Sequence, residues 1–266
     1  MFITKKSRLK ILLIGIAYII VASFCVVSSV YLASLGEENK LWCLGVALYI
    51  LCPLIVLCGI YAEGKGKLVN LGNKLVRNDL NPREFIAHYE NLKSSPDLVV
   101  NKPSLEVLLM VLAAYEALDD KERIFATLDE MLLIARDKKK SFVKLLRASC
   151  LFDNGKIDEA EALFSEVRSS KTDFLCVALS DSILKTDRAK AIGDYKTAEV
   201  NLLKRLEQKF PKRDNLSNLV LYFNLAEIYE KTSDIEKAVS YYEYCAKNGG
   251  ETAIKASAKE ALQRLK

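Results

Sequence analysis

Two blocks of different pattern divide the chain. Residues 11–35 carry no charged side chain, nor do residues 41–62. Each run is long enough to cross a hydrocarbon core as a helix, for which roughly 20 apolar residues suffice. From Glu63 onward the apolar positions recur at helical spacing and no segment alternates convincingly as a strand. Residues 67–78 place Leu68, Leu71, Leu75 and Val76 on one side. Asn81 and Pro82 then open a second helix, with Asn81 as cap and Pro82 at its first position, burying Phe85, Ile86, Tyr89 and Leu92. Residues 94–103 form a polar, proline-bearing break. The pattern predicts an all-α protein in which a two-helix transmembrane hairpin precedes an α-solenoid of helix pairs.

The flanks of the apolar runs predict a topology. Lys5, Lys6, Arg8 and Lys10 precede the first, and Lys65, Lys67, Lys74 and Arg77 follow the second; the connecting residues 36–40 hold one Lys against two Glu. The positive-inside rule puts both termini in the cytoplasm. The expectation is an integral membrane protein with two spans, 11–35 and 41–62, in a setting that suits a bacterial inner membrane. The first run is too long for a signal-peptide core and has no A-x-A-like site before Glu37. Neither run contains an ionisable side chain, the usual mark of an ion path, so the hairpin reads as an anchor. The expected organisation is a basic N-terminus (1–10), the hairpin (11–62), a juxtamembrane helix pair and linker (63–103), helical repeats (104–250) and a C-terminal capping helix (251–266).

Within residues 104–250 one set of positions returns. Tyr222, Leu225, Ala226 and Tyr229 are followed by Ala238, Tyr242 and Cys245. The preceding unit has Gly193, Tyr195, Ala198 and Leu202, with Thr186 where a small residue is usual. Before it come Ala148, Leu151, Gly155, Ile157, Ala160 and Phe164. The first unit has Leu108, Val111, Leu112 and Tyr115, then Ile124 and Leu128. Ile124, Ala160, Ala198 and Ala238 lie 36, 38 and 40 residues apart. This pattern resembles the tetratricopeptide repeat, whose period is about 34 residues. The resemblance implies stacked helix pairs, with small residues letting the two helices of a pair approach and aromatics filling the gap to the next.

Composition sharpens this picture by exclusion. Five of the 39 basic and two of the 34 acidic side chains lie in residues 1–62, leaving 34 against 32 in the rest. A nearly neutral array with interspersed signs offers no electrostatic footprint for nucleic acid. Four of the seven cysteines lie in the apolar runs, the other three are scattered with no close Cys pair, and His88 is the only histidine, so neither a His-based metal site nor a catalytic triad can assemble. No phosphate-binding glycine loop is present. The expectation is a protein that is not an enzyme, with no metal and no cofactor.

What remains is binding. The repeat resemblance implies that the first helix of each pair lines a groove. It assigns Leu109, Met110, Ala113, Phe142, Leu145, Leu146, Ser149, Phe152, Ile183, Leu184, Phe223, Asn224 and Glu227 to that wall, which is mostly apolar. The Lys/Asn/Arg clamp by which related repeats grip chaperone tails is absent. Leu145, Leu146, Ser149, Ile183 and Leu184 occupy the corresponding stretches. Such a groove would either accept an amphipathic partner helix or be filled from within, for instance by Phe85, Ile86 and Tyr89. The function expected is a membrane-anchored interaction scaffold for a protein or peptide partner, in contact with the lipid bilayer. The alternative is an accessory subunit of a transport, secretion or envelope-assembly complex, with the hairpin as its specific element.

Overall fold

A computed structural model describes residues 2–4, scattered positions between 13 and 31, and residues 66–95, 98–101, 103–169, 184–208 and 213–265. Two compact units divide the chain. One comprises Met1–Asn70 and Tyr89–Ser104, the other Leu71–His88 and Leu105–Lys266.

In the first unit, β1 (Phe2–Thr4) pairs antiparallel with β2 (Leu98–Asn101), Phe2 opposite Asn101. This strand corrects the expectation of helix alone after residue 63. Leu98, Val99 and Val100 follow Pro96, and a short β-branched run after proline favours extended backbone over a helical turn. The described positions between Leu13 and Tyr31 are helical, and large apolar side chains such as Phe24 and Val27 are exposed there. A spanning helix needs about 20 residues of unbroken helix at 1.5 Å rise. Among the described residues no helix is long and apolar enough to cross a membrane. That finding overturns the expected two-span localisation and the topology built on it. The second run, 41–62, lies outside the described residues.

The second unit is built from helix pairs. Helix α1 (Pro82–Lys93) begins in it, opened by a reciprocal cap. The Glu84 amide donates to Asn81 Oδ1 (3.2 Å), and the Asn81 side-chain amide donates to Glu84 (2.7 Å). Four pairs follow. They are α2 (Leu105–Ala117) with α3 (Lys121–Ile134), and α4 (Asp137–Asp153) with α5 (Ile157–Ser169). Next, a π-helical turn (Leu184–Arg188) runs into α6 (Ala189–Ala191), which pairs with α7 (Tyr195–Glu207). The last pair is α8 (Asn215–Lys231) with α9 (Ile235–Asn248), and α10 (Ala253–Leu265) closes the array.

The same turn joins the two helices of every pair. One residue adopts positive φ: Asp119 (54°), Gly155 (71°), Gly193 (80°) or Ser233 (64°). The next residue donates its amide back across the turn, Asp120 to Tyr115, Lys156 to Leu151, Asp194 to Ala189 and Asp234 to Tyr229, at 2.8 to 3.0 Å. This bond caps a carbonyl that the ending helix leaves unpaired. In three of the turns that residue is Asp, whose carboxylate accepts the amide of Arg123, Thr197 or Lys237 and so caps the following helix. Ile124, Ala160, Ala198 and Ala238 therefore all sit four residues into the second helix of their pairs. Ile124 is 7% exposed and the three alanines are fully buried.

Packing follows from this register. Leu225, Ala226 and Tyr229 of α8 share one core with Ala238, Tyr242 and Cys245 of α9 and with Ala258 and Ala261 of α10. Glu230 ties the three helices together, accepting from Tyr242 Oη (2.8 Å) and from Arg264 (2.6 Å). Ala148, Leu151, Phe164 and Leu202 are buried too, while Tyr195 and Tyr222 are partly buried.

Candidate functional site on the inner face

The first helices of the pairs carry the site. Counting back six residues from each positive-φ turn residue reaches Ala113, Ser149, Asp187 and Glu227; counting back nine reaches Met110, Leu146, Leu184 and Asn224. Leu184's side chain lies outside the described residues; among the others and their neighbours, polar contacts run from pair to pair along one wall. The Cys150 thiol donates to Glu116 (3.6 Å), linking α2 and α4. Ser149 Oγ donates to Asp187 (2.5 Å), linking α4 to the third pair. Lys190 donates to Glu227 (3.0 Å) and to Asn224, linking the third pair to α8.

Charge is unevenly balanced on this wall. Burial, reinforced by Asp153 and Asp187, pushes the Glu116 carboxyl up to about 7 against the opposing pull of the Cys150 hydrogen bond and Arg77. Burial and Asp187 push Asp153 to about 7 as well, although Lys190 pulls it down. Asp187 is raised by burial in spite of the Ser149 hydrogen bond. Burial disfavours the Lys190 ammonium, yet Glu227, Asp153 and Asp187 outweigh it and hold the group charged. Glu116 and Asp153 are nevertheless exposed to water. Protein surrounds them on the inner face without sealing them, so screening by solvent reduces what their shifts are worth. Burial, then Glu116, raises the Cys150 thiol, which leaves it a neutral donor and no thiolate nucleophile.

One segment lies across this wall. Leu71 and Gly72 lead into a π-helical turn, Asn73–Asn78, that packs on both α2 and α8. A six-residue turn that touches the first helix of both the first and the last pair requires those helices to lie close. The array is therefore curved, with its first helices inward. The strap comes so near α2 that a Cβ added at Gly72 would lie 2.8 Å from Met110 Cβ. Leu75, Val76 and Leu80 are buried. Arg77 pairs with Asp214 at 2.9 Å, at the start of α8, and the Asn215 side chain donates to the Asn78 carbonyl (2.7 Å).

The residues assigned to a groove from sequence are dispersed by the structure. Met110 faces inward beneath the strap; Asn224 and Glu227 belong to the polar wall with Ser149. Phe142 and Leu145 pack instead on Phe164 and Val167 of α5. Phe152 packs with Leu151 and Ala160, and Phe223 lies edge-on to Tyr242 at 5.7 Å. Leu109 and Leu146 are half-buried. Ile183 lies outside the described residues, as does the side chain of Leu184. Beside these positions the wall carries two exposed carboxylates, Glu116 and Asp153. The sequence pattern alone does not single out Glu116, Asp153 or Lys190, whereas the six-residue offset that locates Ser149 and Glu227 also locates Asp187. Among the described residues no group of three or more His, Cys, Asp or Glu is placed to hold a metal ion. His88 is exposed, 3.9 Å from Glu84 on its own helix.

The chain matches no known protein family, no curated protein and no solved structure.

Proposed function

We propose that this chain is an interaction scaffold of the tetratricopeptide-like kind, whose inner face holds a segment of a protein partner without making or breaking covalent bonds. The observation that supports this reading is the continuous row of polar contacts from α2 to α8, with the exposed carboxylates of Glu116 and Asp153 beside it. Helix pairs that served only to stack would gain nothing from carboxylates gathered where burial and mutual repulsion disfavour their charge. Functional sites are where such unfavourable arrangements collect. A row of this sign selects lysine and arginine on the partner, and the curvature suits a short helix or extended segment.

The test is capture by the immobilised chain. Combined Glu116→Gln, Asp153→Asn and Glu227→Gln substitutions should abolish retention of a specific partner, while Glu243→Gln on the exposed side of α9 should leave it unchanged. Identical sets of captured proteins with the two variants would refute the reading.

A further inference from the structure

The strap across the inner face is tied down at Arg77 and at Leu80. Its hydrogen-bonded ring is π-helical from Asn73 to Asn78, closed by Asp79 N to Lys74 O (2.8 Å) and Asn81 N to Leu75 O (2.7 Å). A π-turn holds one residue more than an α-helical turn, so relaxing it rotates everything that follows by about a quarter-turn around the axis. Leu75 and Val76 would then exchange places with Arg77 relative to α2 and α8. A segment free to adopt either register would be a bistable element.

Strain and incomplete pairing point the same way. Leu80 sits at φ 53°, a left-handed conformation rarely adopted by a branched side chain. It is held there by the amide of Glu251, which donates to its carbonyl (2.8 Å), and by the backbone of Gly250. A Cβ on Gly250 would fall 2.5 Å from Leu80 Cβ. Arg77 gives one nitrogen to Asp214, yet its Nε is buried with no partner. The side chain as a whole is more than a third exposed, so its ion pair with Asp214 holds it in competition with water. By contrast, α8 and α9 share a continuous core.

We infer that residues 71–80 are a displaceable occupant of the inner face, and that the partner segment is a basic amphipathic helix that takes their place. This rests on the scaffold reading and deepens it. The strap itself shows the chemistry that fits: an aliphatic pair, Leu75 and Val76, followed by an arginine that reaches Asp214 and lies within electrostatic range of Glu116. Farther along the wall the Asp153 carboxylate is exposed to water, with Lys190 the cation that acts on it. The device is autoinhibitory. A partner must supply enough cationic and apolar contact to outcompete a tethered segment, which favours the correct sequence over weakly basic ones.

The test uses the full chain and a labelled synthetic peptide of residues 71–88. In Arg77→Ala protein the strap should loosen while Asp214 remains available. The peptide should then bind this variant at least about tenfold more tightly than it binds the unaltered chain, and a peptide with the same Arg→Ala change should lose that gain. Hydrogen exchange gives an independent reading. Asp214→Asn keeps the cap on Ser217 but removes the charge, so the amides of 73–80 should exchange faster while those of α8 and α9 do not. If the strap stays as protected as α8 in both variants, displacement is refuted and the scaffold reading survives, because the exposed carboxylates do not depend on it. If the strap is released but the peptide does not bind the vacated face, displacement is refuted and the inner face loses its claim as the docking site.

Discussion

Thr186 isolates what a single buried atom does. It occupies the position in the third pair where the repeat resemblance implies a small residue, and it is 1% exposed with its hydroxyl unpartnered. Burying a hydroxyl without a hydrogen bond costs about 1–3 kcal/mol, whereas a methyl of the same shape would be favourable there. Thr186→Val should therefore stabilise the protein by about 1 kcal/mol, read as a higher urea midpoint with unchanged slope. An unchanged or lower midpoint would mean that the hydroxyl has a partner in solution. The substitution stood out in the sequence because the position was defined by its neighbours in the other pairs. Its energetic consequence was not readable there, since nothing in a sequence says whether a hydroxyl finds an acceptor.

At the scale of the element, the turns are the most instructive feature. Their four positive-φ positions are filled by Asp119, Gly155, Gly193 and Ser233, so two of them place a Cβ in the left-handed region. That region costs a non-glycine residue about 1–2 kcal/mol, while the greater freedom of glycine in the unfolded chain returns about 0.5–1 kcal/mol. Ser233→Gly should then stabilise by about 0.5–1 kcal/mol, and Gly193→Ala should destabilise by a similar amount, both measurable by chemical denaturation. Asp234→Ala, which removes the carboxylate that caps α9 through the Lys237 amide, should lose about 1 kcal/mol. A neutral outcome for Asp234→Ala would show that water replaces the cap without loss.

The turns also explain which elements could be read from sequence. Residues 148–164 and 222–242 were recognisable because the second helices are amphipathic and their start is marked by Gly or Asp at a fixed distance from a buried alanine. The first helices are harder. Helix α2 is apolar on nearly every side, with Leu105, Val107, Leu108, Met110, Val111 and Leu112 all buried. A segment buried all round has no period that could tell the inner wall from the side facing its partner helix. Phe142 and Leu145 of α4, assigned to the groove by the repeat resemblance, pack on α5. The strap escaped notice because its hold depends on Asp214, Asn215 and Gly250, more than 130 residues away in the chain.

At the scale of the whole repeat unit, the inner carboxylates make stability depend on pH in an unusual direction. Glu116 and Asp153 titrate near 7 in the folded protein, against about 4 when unfolded, and Asp187 is shifted the same way. Between those values the folded state binds more protons than the unfolded state. Stability contributed by these groups is fully present below about pH 4, falls as pH rises toward 7, and is level above it. Capping residues such as Asp194 and Asp234 are shifted downward, so their contribution is lost only as pH falls below the ordinary carboxylate range. The window between pH 5 and 8 therefore belongs to the inner face. Melting temperature should be higher at pH 5.5 than at pH 8. Combined Glu116→Gln and Asp153→Asn should raise it at pH 8 by roughly 2–4 °C and flatten the profile. High salt should narrow the difference, because both groups are open to water and their repulsion is screened. The same relief is what a cationic segment would provide on docking. A basic peptide bound along the wall should replace protons as the neutralising agent, and its binding should strengthen as pH rises from 5.5 to 8. Binding that weakens over that interval would contradict the electrostatic role assigned to Glu116 and Asp153.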